Sequence, residues 1–164
     1  MQMLMQFQGD ASEPDWFALN DGVMGGQSLG TVVLSAGKLQ FTGALSLANN
    51  GGFSSIRTRG HRFDLTGVQD VVLRVLGDGR NYQIRLATDA RFQGMPVSYG
   101  ATFPTVAGEW SVVRVGLHTL TPSARGSQLD GPPLDPSRIR EIGLLIGDKR
   151  EGAFSLTFDW IGVE

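Results

Sequence analysis

Apolar and polar positions alternate with period two through most of this chain, in short runs punctuated by glycine, proline, asparagine and aspartate. Lys38–Leu45 is the clearest run, with Leu39, Phe41, Gly43 and Leu45 on one face. Tyr82–Thr88 sets Tyr82, Ile84 and Leu86 inward and Gln83 and Arg85 outward. Phe154–Trp160 places Phe154, Leu156, Phe158 and Trp160 opposite Ser155, Thr157 and Asp159. Val71–Leu76 is apolar at almost every position, as in a strand buried on both faces. Shorter runs at Trp16–Leu19, Thr31–Leu34, Phe53–Arg59, Val97–Phe103, Ser111–Val115 and Ile142–Ile146 bring the predicted strands to about nine or ten.

Two connections shape this reading. Gly77-Asp78-Gly79-Arg80-Asn81 reverses the chain between Val71–Leu76 and Tyr82–Thr88, so these two strands are expected to pair as a hairpin. Thr119–Pro136 has no periodicity and contains Pro122, Gly126, Gly131, Pro132 and Pro133, which predicts one long loop. Asp135–Ile139 is expected to form a single helical turn with Pro136 at its first position. No longer segment has helical periodicity. The pattern predicts an all-β fold of two packed antiparallel sheets, a β-sandwich or jelly roll, in a single domain over residues 1–164.

Composition narrows the chemistry. The 164 residues suffice to bury a full core, and 41% hydrophobic against 18% charged residues describes a globular chain. A formal net charge of −2 argues against nucleic acid as a partner, because that binding rests on phosphate neutralisation. The absence of cysteine removes disulfides, thiolate nucleophiles and cysteine-ligated metals. Two histidines without metal spacing make zinc an unexpected ligand, and no cofactor or metal site is expected, with a structural calcium held by aspartate and backbone carbonyls from distant loops as the open alternative. No stretch reaches the ~20 apolar residues of a membrane helix. Met1–Gln6 has neither a basic start nor a leader-like apolar run, so the expected location is cytoplasmic.

The candidate chemistry lies in loops. Asn20–Ser28 reads Asn-Asp-Gly-Val-Met-Gly-Gly-Gln-Ser, and its glycines let the backbone bend where side chains would clash. Gly26-Gln27-Ser28-Leu29-Gly30 matches a nucleophile-elbow pattern, but the β-branched, apolar residues after it predict a strand where the elbow requires a helix. The Ser28 hydroxyl is therefore expected to bond loop backbone. Asn49-Asn50-Gly51-Gly52 is a second polar loop and Gly77–Tyr82 a third. Arg57, Arg59 and Arg62 form a basic cluster without an RNA-binding aromatic signature. Tyr82 and Trp160 sit on the apolar faces of their strands and are expected in the core.

Taken in order, several stretches resemble the complex I intermediate-associated protein 30 family, named for a mitochondrial NADH:ubiquinone oxidoreductase assembly factor. They are Trp16 with Asn20–Ser28, Gly51-Gly52-Phe53 leading into Ile56-Arg57-Thr58-Arg59, and Leu73–Tyr82. Trp110, Arg125-Gly126, Pro133-Leu134-Asp135, Ile142–Lys149 and Gly152–Val163 follow. The resemblance implies a galactose-binding-like jelly roll and an assembly or chaperone-like role without catalysis. It also implies a protein partner, such as subunits of a respiratory complex. The fold equally accommodates a carbohydrate-binding module, so a sugar or other small ligand is the alternative partner. The three glycine loops are expected to gather at one end or face of the sandwich. Their candidate binding residues are Asn20, Asp21, Met24, Gly25, Gly26 and Ser28 in the first loop and Asn50 in the second. Asp78, Arg80 and Tyr82 belong to the third, and Arg57 lies on the strand between. Arg80 is expected to anchor a partner, so that reversing its charge would weaken capture with little effect on stability. The opposite expectation is that Asp21 and Asp78 serve only to bond backbone amides within their loops.

Overall fold

The two-residue alternation folds into thirteen strands, more than expected because two lie inside the predicted loop and one precedes the first predicted run. They are β1 (Gln2–Met5), β2 (Asp15–Asn20), β3 (Leu29–Ser35), β4 (Lys38–Leu45), β5 (Ser54–Arg59), β6 (Asp70–Leu76) and β7 (Asn81–Phe92). The remainder are β8 (Met95–Pro104), β9 (Trp110–Gly116), β10 (Thr121–Ala124), β11 (Ser127–Gln128), β12 (Glu141–Ile146) and β13 (Gly152–Val163). The computed structural model describes the backbone of residues 1–164 and every side chain except those of Val23, Met24 and Asn50. Among the described residues helical structure is confined to short 3-10 turns. One of them, Pro136–Arg138, forms as expected under Asp135, whose side chain accepts from the Ser137 amide at 3.0 Å. No helix among the described residues is long and apolar enough to cross a membrane.

The strands form two antiparallel sheets. One has the order β3-β4-β13-β6-β9, with β1 pairing on β13. The other has the order β11-β10-β8-β7-β12-β5-β2. Their inner faces meet in a single core. Phe41, Leu156 and Phe158 come from the first sheet, and Ile56, Tyr82, Ile84 and Tyr99 from the second, all without exposed surface. Phe41 and Phe154 pack edge to face at 4.8 Å. Burying this paired apolar surface is what holds the two sheets together.

Three expectations are corrected. The runs around β6 and β7 do not form a hairpin: β6 pairs with β13 and β9, while β7 pairs with β8 and β12. Gly77–Arg80 instead carries the chain from one sheet to the other. The near-continuous apolar run of β6 marks a central strand that needs neighbours on both sides. The hairpin partner of β7 is β8, through a two-residue turn with positive φ at both Gln93 (50°) and Gly94 (79°), the handedness that suits twisted strands. The predicted loop Thr119–Pro136 contains β10 and β11, and β10 adds to the edge of the seven-stranded sheet through Ser123 opposite Ser98. Finally, a bulge between Phe158 and Trp160 adds a residue to β13. Phe158 remains in the core, Ile161 and Val163 take over the inward positions, and Trp160 turns out to lie half-buried opposite Arg74.

The bulge makes a direct prediction. Phe158→Ala should cost about 3–5 kcal/mol in urea unfolding and Trp160→Ala less than about 1.5 kcal/mol. Equal losses at the two positions would place Trp160 in the core after all.

Candidate functional site

All the connections that follow β2, β4, β6, β8 and β12 cross between the sheets at the same end of the sandwich. The three glycine loops therefore gather there. What holds the first two together is a carboxylate. Asp21 has no exposed surface and begins a 3-10 turn that brings its side chain back under the loop. Its Oδ1 accepts from the Ser28 amide at 2.9 Å. Its Oδ2 accepts from the Ser28 hydroxyl at 2.7 Å, the Gly52 amide at 2.6 Å and the Phe53 amide at 3.3 Å. The Ser28 hydroxyl in turn accepts from the Ser46 amide at 2.9 Å.

The glycines of this loop follow from that carboxylate. A Cβ on Gly26 would collide with the Asp21 carboxylate, and one on Gly51 would stand 2.5 Å from Asp21 Oδ2. Gly25 serves differently: its φ of +87° closes the 3-10 turn in a left-handed conformation costly for other residues. Burial pushes the Asp21 carboxyl up. The Ser28 hydroxyl and the Gly52, Ser28 and Phe53 amides outweigh that and hold it below the ordinary carboxylate range. Asn20 works beside it, donating to the Gly30 carbonyl at 3.3 Å and receiving the Ser54 hydroxyl.

The third loop is tied by a buried ion pair. Arg80 is 7% exposed, and its guanidinium meets Asp148 with two hydrogen bonds, Nε to Oδ2 at 2.9 Å and Nη2 to Oδ1 at 2.6 Å. Nη1 donates to the carbonyls of Gly152 and Ala153, both at 3.0 Å, and Nη2 also donates to the Arg150 carbonyl. All five donors of the side chain are thus used within the chain. The Asp148 hydrogen bonds raise the Arg80 pKa, and Arg80 in turn lowers that of Asp148. Asp78 accepts from the Arg80 amide at 3.0 Å, the Tyr82 hydroxyl at 3.0 Å and the Ser155 amide at 2.8 Å. Tyr82 is fully buried, as expected, and burial followed by the nearby Asp78 pushes its phenol well up.

These placements revise the expected site. Asn20, Asp21, Ser28, Asp78, Arg80 and Tyr82 come together at one end, but their polar groups bond one another and the backbone. Arg80 in particular has no donor left for a partner. Met24 and Asn50 lie outside the described side chains. Among the described residues, every buried side-chain nitrogen and oxygen has a partner, and no three histidine, aspartate or glutamate side chains cluster as a metal site. Two clefts, of about 750 and 1010 Å³, open at the far end of the sandwich, around Leu117–Pro136 and around Phe7–Trp16.

Arg57 points elsewhere, onto the outer face of the seven-stranded sheet. The register there runs from Gly100 on β8 to Arg85 on β7, Gly143 on β12, Arg57 on β5 and Phe17 on β2. Arg57 sits 3.5 Å from Glu141, and Arg59 lies over the Phe17 ring at 4.2 Å. Arg85 has no carboxylate within salt-bridge distance among the described residues. Neutral groups hold it: Nε donates to Ser98 Oγ at 2.9 Å, Nη1 to Gln83 Oε1 at 2.6 Å and Nη2 to Ser123 Oγ at 2.7 Å. Burial, and then the charge of Arg57, lower its pKa. Alternation alone marked Arg85 as outward-facing. Its surroundings depend on how β8 pairs with β7 and β10 with β8, which no local pattern displays.

Comparison with known proteins places the chain in a family. Residues 5–158 match the family profile described as Complex I intermediate-associated protein 30. The chain belongs to the complex I intermediate-associated protein 30 family. Mitochondrial proteins of that name from Drosophila melanogaster and Mus musculus are similar to it, at 26% identity over 181 residues and 32% over 104. These alignments cover 94% and 62% of this chain. They span only 61% of the fly protein and 32% of the mouse protein. Among solved structures, the family 11 carbohydrate-binding module of a Clostridium thermocellum cellulosomal cellulase superposes with a TM-score of 0.72 over 99% of this chain and 92% of that one. At 14% identity this likeness confirms the jelly-roll fold and carries no ligand with it.

Three outcomes test the loop end of this family member. Asp21→Asn leaves one oxygen for four donors and should cost about 2–4 kcal/mol at neutral pH. A carboxyl whose folded-state pKa is lowered stabilises the fold above its unfolded pKa of about 3.9 and loses that contribution as pH falls through the folded-state value. The gap between wild type and Asp21→Asn in urea midpoints should therefore close on acidification through that window. A gap independent of pH would contradict the charge assignment. Gly26→Ala, which displaces the carboxylate, should destabilise more than Gly25→Ala, for which about 1–2 kcal/mol is expected. Arg80→Ala should cost about 3–5 kcal/mol, because it leaves Asp148 buried without its partner. An unchanged melting temperature for that variant would restore Arg80 to the role of a free anchor.

Proposed function

We propose that this domain is a non-enzymatic binding module with an assembly-factor or chaperone-like role, and that it captures a protein partner on the outer face of its seven-stranded sheet. The observation that carries the reading is the contrast between the two charged regions. At the loop end the buried charges are spent within the chain, while on the sheet face Arg85 retains donors without a counter-ion. Family membership supports the class of role. The names of the fly and mouse relatives tie those proteins to complex I, so subunits of respiratory complex I, or of a complex assembled in a similar way, are the first partners to test. Among the described residues, the clefts around Leu117–Pro136 and Phe7–Trp16 do not bring together an acid and a base that are both perturbed.

The carbohydrate-binding alternative shares the fold. On the rows around Arg85, however, the aromatic ring is Phe17, and Arg59 already lies over it. Tyr82 and Tyr99 are both fully buried, so neither offers a sugar-stacking surface. Affinity capture from the native cell separates the two readings. The expected result is co-purification of subunits of a multisubunit complex in amounts comparable to the bait. Recovery of no protein partner, together with saturable binding on a glycan array, would replace the assembly role with the carbohydrate module.

A further inference from the structure

We infer that Arg85 is the anchor of an anion-binding site on the seven-stranded sheet, and that its ligand is a carboxylate carried by an extended, acidic segment of the protein partner. The inference rests on the partner-capture reading above and names the chemistry of that surface.

The argument starts from the donors. A guanidinium has five N–H groups. In Arg85 three of them are satisfied by Ser98, Gln83 and Ser123, at 2.6 to 2.9 Å. One on each terminal nitrogen has no acceptor among the described residues, enough for both oxygens of one carboxylate. The three acceptors are neutral, so they fix the orientation of the guanidinium without cancelling its charge. A cation held in this way before the ligand arrives loses little side-chain freedom on binding. This is the reverse of Arg80, whose five donors and charge are both consumed.

The neighbouring surface admits a chain. The guanidinium lies against Gly100, where a Cβ would come within 2.9 Å of Arg85 Nη1. On the other side the neighbour is Gly143. Gly143 is itself buried beside Arg57, so what the two flanking glycines contribute is the lack of any side chain of their own to shield the guanidinium from an extended segment. The outward positions in the next rows are Thr102 and Ser98 on β8 and Leu145 and Glu141 on β12, a mixture of polar, charged and apolar contacts ordinary for a transient interface. Arg57, about 10 Å away across the intervening strand, adds positive field even though Glu141 partly balances it. Charge complementarity thus selects an acidic occupant. Arg59 over Phe17 removes the stacking surface that a sugar would use.

The test uses the full chain, labelled with nitrogen-15, and three probes: a short blocked peptide of alternating glutamate and serine, the same peptide with glutamine for glutamate, and an oligogalacturonate. The Nε–H resonance of Arg85 in the wild-type protein reports occupancy directly, whether or not a variant folds. The expected result is a saturable shift with the glutamate peptide, weakened by salt, and none with the glutamine peptide. Arg85→Gln should bind the glutamate peptide about tenfold or more weaker, with Arg85→Lys between it and wild type. No shift with the glutamate peptide, or equal affinity in Arg85→Gln, overturns the inference. A shift with oligogalacturonate alone overturns the protein-segment ligand. Native capture of a complex that Arg85→Gln leaves unchanged also overturns the inference while leaving the proposed function standing. Peptide binding without capture of any complex does the opposite.

Discussion

A carboxylate shut away from water must find its hydrogen bonds in the protein, and in this domain much of one end of the sandwich is arranged to supply them. Asp21 collects four donors from two loops that are distant in sequence, Ser28 on one side and Gly52 and Phe53 on the other. Leaving such a group unpaired would cost several kcal/mol, so the loops are pulled onto it. Gly26 and Gly51 have no side chains because the carboxylate occupies the space. Asn20 and Ser54 continue the same bridge between β2, β3 and β5. Gly26 and Gly51 are thus the imprint of one buried charge.

Arg80 and Asp148 apply the same solution to the neighbouring loops, and Glu151, accepting from the Leu47 amide at 3.0 Å, links the two clusters. Because these charges answer each other, the end of the sandwich that carries the most unusual sequence is its structural clamp. Arg85 lies on the broad sheet face, held by hydroxyls and an amide. A charge left unanswered in a folded domain is available for recognition, whereas an answered one serves stability. That distinction, applied residue by residue, is what separates the proposed working surface from the clamp in this complex I intermediate-associated protein 30 family member.

The all-β fold was legible because alternation is local: Lys38–Leu45 matches β4 end to end, and Tyr82 occupies the core position its face assigned. Strand partnership was not legible in the same way. The turn residues Gly77–Asn81 resemble a hairpin loop, yet they join strands of different sheets. The bulge that turns Trp160 out of the core depends on how β13 meets β6, not on its own sequence. β10 was hidden because Pro122 lies within this four-residue strand and Gly126, Gly131, Pro132 and Pro133 follow it. At the site, the glycines correctly marked a constrained loop, but the sequence could not distinguish a ligand cradle from a carboxylate knot. Whether Arg80 or Arg85 has a counter-ion is decided by residues more than ten positions away, Asp148 for one and the hydroxyls of Ser98 and Ser123 for the other.

The central claim is that the sheet face meets the partner and the glycine-rich end does not. Site-specific photo-crosslinking in the native cell tests it most directly, with the photoreactive residue placed either at Thr102, exposed on the face beside Arg85, or at Gln27, exposed in the clamp loop. The account predicts covalent partner adducts from position 102 and none from position 27. Adducts from position 27 alone would contradict it and return the working surface to the glycine loops.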